Sequence, residues 1–316
     1  MPAQRERVLV TGGSGFLGAN LVRALVRDKQ EVHLVLRDQA SRWRLVGLEA
    51  QFAVHRADLR DLRSLRRVVK ACQPQVIYHL AMQGAFAAGL SRADVLKTNV
   101  IGLANLLDAL DKVEYQRFVN VGTSAEYGCQ AGPMREEDQP KPATVYAVSK
   151  AAATLLCQAD AIRGKPVCTV RVFSAYGAWD HPGRLPLYTM RCCLGKSRPR
   201  ITSAELPRDF IHVDDVIHAL RIVATHPETP GQVLNVGSGA QQTVRDMVET
   251  VLQVCTDGRL KADYVHGIWP ANEPRCYVAD LKRIQQLTGW MPRTNLEAGL
   301  RKTWSWFCNH ARSLAA

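Results

Sequence analysis

The stretch VLVTGGSGFLG, residues 8–18, decides the fold of this chain. Its first three residues form a short apolar run typical of a buried strand, and the glycines that follow lead into an apolar helical pattern over 15–26. Glycines so placed allow a tight turn, let the backbone approach a pyrophosphate, and let the helix pack closely on the strand. The first turn of such a helix also offers unpaired N–H groups to phosphate. The stretch therefore predicts a dinucleotide-binding turn that contains Gly12, Gly15 and Gly18.

Short apolar runs and longer helical patterns alternate through the first two thirds of the chain. The runs predict strands over 8–10, 32–36, 52–55, 76–80, 117–121 and 167–173. The helical patterns predict helices over 15–26, 62–72, 95–110 and 145–163. Strands separated by helices form a parallel sheet covered on both faces, and right-handed connections make it doubly wound. The expected fold class is α/β, a Rossmann-type doubly wound parallel sheet with a smaller C-terminal substrate-binding region.

This alternation loosens after about residue 174, where Pro182, Pro186, Pro199 and Pro207 interrupt the chain. A chain of 316 residues suggests two domains, or one large domain with an appendage. We therefore expect a dinucleotide-binding domain over 1–174, with parts of 205–240 returning to it, and a mainly substrate-binding region over 175–316.

The net charge of +12 fits either phosphorylated small molecules or nucleic acid. The densest basic stretch, residues 56–70, has the pattern of an amphipathic helix with a solvated charged face. No aromatic residues are interleaved in it, as single-strand nucleic-acid binders require for base stacking. The charge therefore favours a phosphorylated small-molecule ligand and no nucleic-acid partner.

The nine cysteines are scattered, odd in number and free of C-x-x-C pairs, which favours reduced thiols over a disulfide framework. No His, Cys or carboxylate set has the spacing of a zinc site, so no metal is expected. No apolar run approaches the roughly 20 residues that span a bilayer, and the N-terminus lacks a signal-peptide pattern. We expect a cytoplasmic protein without membrane attachment.

The residue after the second predicted strand indicates which dinucleotide binds. An acidic residue there accepts hydrogen bonds from the ribose hydroxyls of NAD, whereas this chain has Arg37, which can bind a 2′-phosphate. Arg42 and Arg44 could add positive charge, although Asp38 opposes it. We expect NADP(H) as the preferred cofactor, with NAD(H) possible.

Tyr146 and Lys150 lie four residues apart at the start of a predicted helix, which places both side chains on one face. A free tyrosine has a pKa near 10 and is a poor base at neutral pH. A nearby ammonium stabilises the phenolate, so this pair could exchange a proton with a substrate oxygen while a hydride moves at the carbon.

Further motifs follow in a fixed order along nearly the whole chain. They are TGGSGFLG (11–18), DL (58–59), HLA (79–81), Asn99, TSAEYG (123–128), YAVSK (146–150), RVFSAYG (171–177), RDFIHVDD (208–215), NVGSG (235–239) and GWMP (289–292). Through them the sequence resembles the extended short-chain dehydrogenase/reductase family, in particular its nucleotide-sugar epimerases, dehydratases and 4-ketoreductases.

The resemblance implies a role for each matching position. Thr123, Tyr146 and Lys150 would be catalytic. The cofactor would contact Gly12, Gly15, Phe16, Leu17, Gly18, Arg37, Asp58, Leu59, Leu80, Ala81, Asn99, Tyr146 and Lys150. A nucleotide-sugar substrate would contact Ser124, Ala125, Ser174, Arg184, Arg208 and Arg275. Ser174 stands where the family usually has asparagine, which leaves the substrate's identity open.

The resemblance also bears on the reaction. Dehydratases of the family carry acidic residues directly after the catalytic threonine, where this chain has Ser124 and Ala125. Glu126 comes one residue later, and on an extended segment it would point to the opposite face. These residues favour 4-keto reduction of an NDP-4-keto-6-deoxyhexose, with Tyr146 as proton donor.

Several alternatives remain open at this point. They are an NDP-sugar 4-epimerase with retained NAD(P), then an NDP-sugar dehydratase, and more distantly a non-catalytic NADP(H)-binding or RNA-binding relative. Family members commonly form homodimers through two helices that correspond here to those containing 103–110 and 151–157. We therefore expect a homodimer.

Overall fold

The computed structural model describes residues 5–84, 89–265 and 275–314, and side chains as far as residue 310. The strands are β1 (Arg7–Thr11), β2 (Glu31–Leu36), β3 (Ala53–Arg56), β4 (Val76–His79), β5 (Arg117–Thr123), β6 (Val167–Val172), β7 (Ser174–Tyr176), β8 (Arg200–Thr202), β9 (Pro207–Arg208), β10 (Phe210–His212), β11 (Val233–Val236), β12 (Gln242–Thr243) and β13 (Asp263–Val265). The helices are α1 (Phe16–Arg27), α2 (Leu62–Cys72), α3 (Arg92–Leu96), α4 (Gly102–Leu110), α5 (Val145–Ile162), α6 (Leu185–Leu194), α7 (Val213–Thr225), α8 (Val244–Thr256), α9 (Lys282–Thr288) and α10 (Leu296–Leu314).

The central sheet of the described residues has seven strands in the order β11-β6-β5-β4-β1-β2-β3. All neighbouring strands run parallel; for example, Leu9 of β1 is paired with His33 of β2 on one side and with Ile77 of β4 on the other. The strand order reverses between β1 and β4, and ligands of open α/β sheets bind beyond the carboxyl ends of the strands at such a point. The predicted doubly wound α/β fold is confirmed.

Helices cover both faces of the sheet and bury separate apolar cores. One core includes α1, α7 and α9, with Leu21, Leu220 and Ile284 fully buried. The opposite core includes α2, α4 and α5, with Leu65, Leu103 and Ala153 buried. Residues far beyond the first 174 therefore complete the Rossmann core, since α7, β11 and α9 all belong to it.

A third core lies in the C-terminal part of the chain, where α6, α8 and α10 pack on one another. Three two-stranded sheets, β7–β10, β9–β12 and β8–β13, lie outside the central sheet. None of the described helices is both long and apolar enough to cross a bilayer.

The predicted helix over 95–110 starts earlier and is irregular. Ser91 caps α3 by accepting a hydrogen bond from the Asp94 N–H, so the helix begins before its apolar pattern does. Between α3 and α4 the chain forms a π-helical turn, Lys97–Ile101. π-Helical turns inside α-helices occur often at functional sites, and this one carries Asn99.

The segment after β5 is not extended, contrary to the sequence-based expectation. Residues Ser124–Glu126 form a 3₁₀ turn, because Thr123 and Glu126 cap it reciprocally. The Glu126 carboxylate accepts a hydrogen bond of 2.9 Å from the Thr123 N–H, and the Thr123 hydroxyl oxygen accepts one of 3.3 Å from the Ala125 N–H. Such a capping box fixes the orientation of the residue that starts the turn.

A buried ion pair anchors this turn to the sheet. Glu126 accepts hydrogen bonds from Arg171 Nε of β6 at 2.9 Å and from the Thr154 hydroxyl of α5 at 2.8 Å. The side chains of Glu126 and Arg171 are 0% and 4% exposed. The Arg171 guanidinium also lies 4.5 Å from the centre of the Tyr127 ring, and Tyr127 donates to Asn235 of β11 at 2.6 Å. Through these contacts the Glu126 carboxylate connects β5, α5 and β6.

Replacing Glu126 should destabilise the whole chain. In Glu126→Gln the buried Arg171 charge loses its partner, and breaking a buried pair in this way costs about 3–5 kcal/mol. We expect that loss in the free energy of unfolding measured by urea denaturation. The matched control is Glu297→Gln, which removes a pair with Arg301 that is 58% and 60% exposed and should change the free energy by less than about 1 kcal/mol. Equal effects of the two substitutions would contradict the anchoring role.

Candidate active site

The side chains of Thr123 and Tyr146 lie close together at the carboxyl end of β5. Thr123 is the last residue of β5, and Tyr146 lies in the first turn of α5. Thr144 caps that helix by accepting a hydrogen bond of 3.1 Å from the Ala147 N–H, which sets the position of its first turn. The structure therefore brings together two of the three predicted catalytic residues.

Tyr146 is held in its neutral form. Burial raises the pKa of the phenol to about 12, against the opposing effects of the nearby Thr123 hydroxyl and the positive charge of Arg184. The sequence-based argument assigned the stabilisation of the phenolate to Lys150, but Thr123 contributes most to it here. At neutral pH the phenol is a proton donor.

Lys150 lies one helical turn beyond Tyr146 and is buried, with 3% of its surface exposed. Burial lowers the pKa of its ammonium, and the nearby negative charge of Glu126 partly restores it. Within the described part of the chain, no hydrogen bond from this ammonium to a protein acceptor is present. A buried ammonium needs acceptors, and ribose hydroxyls of a bound dinucleotide would supply them.

Close to Lys150, the imidazole of His79 is neutral. Burial and the positive charge of Lys150 lower the pKa of His79 to about 3. Its Nδ1 is hydrogen-bonded to the Thr11 hydroxyl at 2.8 Å, which links the ends of β4 and β1. Lys150 therefore has a neutral neighbour, His79, and an anionic neighbour, Glu126.

Asn99 connects the π-helical turn to α5. Its amide donates 2.9 Å hydrogen bonds to the Ser149 hydroxyl and to the Gln83 carbonyl, and its oxygen accepts one of 2.8 Å from the Gln83 N–H. Ser149 donates in turn to the Tyr146 carbonyl at 2.7 Å. Asn99 thus fixes both the loop after β4 and the backbone that carries Tyr146.

The glycine turn after β1 fits a dinucleotide pyrophosphate. Gly12 has a φ of +72°, and a Cβ there would lie 2.5 Å from the Ala81 nitrogen. A Cβ on Gly18 would overlap the Gly12 carbonyl oxygen. Gly15 starts α1 without a side-chain cap, so its first-turn N–H groups stay available for phosphate oxygens. Phe16, Leu17, Leu80 and Ala81 adjoin this turn, as the sequence predicts.

The predicted adenosine-binding residues lie beyond β2 and β3. Arg37 follows β2 directly and is exposed, while Asp38 forms an exposed pair with Arg56 at 3.3 Å. The Asp58 carboxylate is bound by Arg60, whose hydrogen bonds hold the pKa of that carboxyl below its usual value. Leu59 is buried against Gly102. Because the Asp58 carboxylate already accepts hydrogen bonds from Arg60, it is less available to an adenine than the motif implies.

A cavity of about 200 Å³ lies between the Rossmann core and the C-terminal core. Ser174, Arg184 and Arg208 line it, so the structure brings together three of the predicted substrate-binding residues. Arg275 is exposed and does not line this cavity. Ser124 and Ala125 lie on the turn after β5, beside Thr123.

Sequence reasoning missed Tyr277. Its phenol is 2.5 Å from the Ser124 hydroxyl, and its negative form would act on the Tyr146 pKa, which places it at the candidate active site. Arg208 lies over the Tyr277 ring at 5.0 Å, and Phe173 contacts its edge. The segment around Tyr277 is irregular and lies 153 positions from Ser124, so periodicity gives no signal for this contact.

Asp209 explains how Tyr277 is held. Its buried carboxylate accepts hydrogen bonds from the Ser238 N–H at 2.6 Å, the Gly239 N–H at 3.1 Å and the Ala279 N–H at 3.0 Å. The RDFIHVDD motif therefore fixes the segment that carries Tyr277. In the residues that the structure describes, no three metal-ligating side chains form a cluster that could bind an ion.

Comparisons with known proteins agree with this arrangement. The model of the NAD dependent epimerase/dehydratase family matches residues 8–237. A dTDP-glucose 4,6-dehydratase of Haemophilus influenzae is 28% identical, over 97% of this chain and 99% of that protein. MoeE5, solved with UDP-glucuronic acid and NAD, is 30% identical with a TM-score of 0.82, over 96% of this chain and 99% of that one.

A dTDP-glucose 4,6-dehydratase of Bacillus anthracis, solved with NAD, is 24% identical and shares the fold with a TM-score of 0.86, over 97% of this chain and 98% of that one. The family model spans the sheet, the glycine turn and the Thr123–Tyr146–Lys150 site. The chain belongs to the NAD-dependent epimerase/dehydratase family of extended short-chain dehydrogenases/reductases, as its ordered motifs predicted.

Proposed function

We propose that this protein is an NADP(H)-dependent oxidoreductase that reduces the 4-keto group of an NDP-4-keto-6-deoxyhexose. One observation carries the proposal: the Tyr146 phenol lies beside Thr123 at the end of β5, and neither Ser124 nor Ala125 of the turn that follows is acidic. Ketone reduction needs a proton donor at the carbonyl oxygen, whereas oxidation of a C4 hydroxyl, with which epimerisation and dehydration begin, needs a base.

Thr123 and Tyr146 would bind the C4 oxygen together. A reduced nicotinamide supplies the hydride to C4 when it is bound. As negative charge develops on the C4 oxygen, Tyr146 gives up its proton, and a hydroxyl replaces the carbonyl. Thr123 stabilises the resulting phenolate by its hydrogen bond until solvent returns the proton. Lys150 would hold the nicotinamide ribose.

Dehydration is less well supported, although the curated relatives named above are dehydratases. Loss of water across C5 and C6 needs a base for the C5 proton and an acid for the C6 hydroxyl. Ala125 can supply neither, and the Ser124 hydroxyl is hydrogen-bonded to Tyr277. Glu126 is buried in its pair with Arg171.

A 4-epimerase is the second candidate. It would use the same Thr123, Tyr146 and Lys150 and would keep its cofactor bound through both half-reactions. MoeE5, at 30% identity, was solved with UDP-glucuronic acid and NAD. This likeness favours the epimerase over a non-catalytic or RNA-binding role.

A substrate panel tests the proposed reaction. The protein is mixed with NADPH and, in turn, uridine, thymidine, guanosine and cytidine diphospho-4-keto-6-deoxyhexoses, and the absorbance of NADPH is followed. We expect stoichiometric oxidation with one partner. Tyr146→Phe should lower its kcat by about 10²–10⁴-fold with little change in NADPH affinity, because only the proton donor is lost.

Two outcomes would contradict the proposal. Full turnover by Tyr146→Phe would remove Tyr146 from the reaction. Interconversion of 4-hydroxy sugars by a tightly held cofactor, without net NADPH use, would identify the epimerase instead.

The proposed preference for NADP(H) over NAD(H) rests on the position of Arg37. Its exposed guanidinium at the end of β2 can bind a 2′-phosphate through two hydrogen bonds. In Arg37→Asp we expect the Kd of NADPH to rise about 10- to 100-fold, since hydrogen bonds to charged groups contribute about 1.5–3 kcal/mol. NADH should bind better to the variant than to the wild type, as measured by fluorescence titration. Unchanged preference would show that Arg37 does not read the 2′-phosphate.

Substrate recognition is proposed for the region over 175–316. Arg184 and Arg208 offer two cations in one cavity, which suits the diphosphate of a nucleotide sugar. Ser174 would hydrogen-bond the same ligand, and Ala125 and Ser124 would contact the sugar. Arg275 lies on the segment that carries Tyr277. It remains a candidate for binding the diphosphate of the nucleotide sugar.

A homodimer is also proposed, with a changed contact surface. Leu103 and Leu110, expected to serve both the sheet and a partner, are fully buried within the chain. Helix α5 instead exposes Val148, Leu155 and Ile162, which are 45%, 60% and 88% exposed. Their spacing of seven residues places them in one stripe along the helix.

Leu155→Glu should weaken dimerisation, because it introduces a charge in the middle of this stripe. Analytical ultracentrifugation should give a dimer for the wild type and a larger monomer fraction for the variant. Met291→Glu, at another exposed apolar residue (59%), is the matched control and should stay dimeric. A monomeric wild type would rule out the proposed dimer.

A further inference from the structure

The C-terminal core contains two cysteines at equivalent places on two packed helices. Cys193 lies in the last turn of α6, and Cys255 lies in the last turn of α8. Cys193 is buried in this core, and Cys255 is partly buried against it. Both thiols are free of disulfides, and the proposed reaction uses neither. The interface of α6 and α8 therefore holds two oxidisable sulfur atoms.

The segments that follow α6 and α8 hold the ends of these helices together. The helices themselves pack on one another, and β8 and β13, which follow them, are paired in parallel with Arg200 opposite Asp263. The Asp263 N–H also donates a hydrogen bond of 2.9 Å to the Pro199 carbonyl. Segments of nearly equal length lead from Cys193 and Cys255 to these strands. The pairing of the strands therefore keeps the last turns of both helices side by side.

The two thiols lie close enough to change each other's acidity. The Cys255 thiol stabilises the Cys193 thiolate and holds the pKa of Cys193 below its usual value, although burial opposes this effect. Cys193 and burial together raise the pKa of Cys255. The thiolate is the reactive form of a cysteine, so Cys193 is the more nucleophilic of the two. Cys255 is placed to react second, at the sulfur of Cys193.

We propose that Cys193 and Cys255 are a peroxide-sensitive pair, in which hydrogen peroxide oxidises Cys193 and Cys255 then closes a disulfide with it. A low-pKa cysteine beside a second, resolving cysteine is the arrangement that makes thiol oxidation reversible. The inference is independent of the proposed reductase reaction, because it uses no substrate and no dinucleotide.

Two steps complete the oxidation. The Cys193 thiolate attacks one peroxide oxygen, so that an S–O bond forms, the O–O bond breaks, and the released hydroxide takes a proton to become water. Cys255 then loses its proton and its sulfur attacks Cys193 Sγ, so that the S–S bond forms and the S–O bond breaks, releasing a second water. Each sulfur atom gives up one electron, and the peroxide is reduced to water.

Cys308 of α10 is the nearest competitor for Cys255. It is exposed, and its negative form would raise the pKa of Cys255, which places it near that thiol. Loss of water contacts raises the pKa of Cys308 itself, so less of it is thiolate at neutral pH. Cys193 is therefore the preferred partner of Cys255.

Peptide mapping of the full-length protein tests this proposal. The protein is reduced, freed of reductant, treated with hydrogen peroxide at neutral pH without denaturant, alkylated, digested and analysed by mass spectrometry. We expect a peptide pair linked through Cys193 and Cys255, with loss of both free thiols, and dithiothreitol should restore them. In Cys255→Ser the link cannot form, so Cys193 should be recovered as its sulfenic acid, trapped with dimedone, or as its sulfinic acid.

Cys192→Ser is the matched control, because Cys192 is also buried and precedes Cys193 in the same turn of α6. It should leave the yield of the Cys193–Cys255 link unchanged. A wild type without this link after peroxide treatment, or with Cys193 linked mainly to Cys192 or Cys308, would overturn the proposal. The wild-type map gives this answer by itself, even where a variant does not fold.

Discussion

The candidate active site depends on a buried ion pair between Glu126 and Arg171. Glu126 and Arg171 are both buried, and their contact joins the turn after β5 to β6, while the Thr154 hydrogen bond adds α5. The same carboxylate holds the Thr123 N–H. The position of the Thr123 hydroxyl relative to Tyr146 is therefore set by charges on the far side of the turn. A buried ion pair contributes little net stability compared with apolar residues in its place. It favours one arrangement of the chain over others, because each charge needs its partner.

Lys150 and Tyr146 lie on one face of α5 but have different electrostatic surroundings. Lys150 is a buried cation between anionic Glu126 and neutral His79. Tyr146 lies one turn away in a setting that disfavours its anion. The helix therefore presents a fixed positive charge and a neutral hydroxyl side by side. Such a pair suits a reaction that ends with a proton on oxygen.

Local patterns predicted the scaffold well. The helix expected over 62–72 coincides with α2, because Asp61 caps its start and the apolar residues repeat at helical spacing. The glycine turn and its position after β1 were predictable because only glycine fits the close approach to Ala81. Motifs that lie within one strand end or one helix predicted Thr123, Tyr146 and Lys150.

Contacts between distant segments were not predictable from such patterns. Tyr277 reaches Ser124 only because Asp209 gathers three separate loops. The 3₁₀ turn after β5 follows from a capping box between Thr123 and Glu126, whereas the sequence predicted an extended segment there. Trp179, between β7 and α6, packs on Arg23 of α1 and on Trp306 of α10, and no single stretch of sequence encodes these contacts.

The place of β11 at the end of the sheet has a consequence for biosynthesis. β6 is complete at Val172, yet the strand that covers its outer edge is Val233–Val236. A nascent chain emerging from the ribosome therefore carries an uncovered, apolar β6 until about sixty more residues have been made. Unpaired strand edges template association with other chains. Truncated or stalled products that end before residue 233 should consequently aggregate, and chaperones that bind extended apolar segments should act on this chain during that interval.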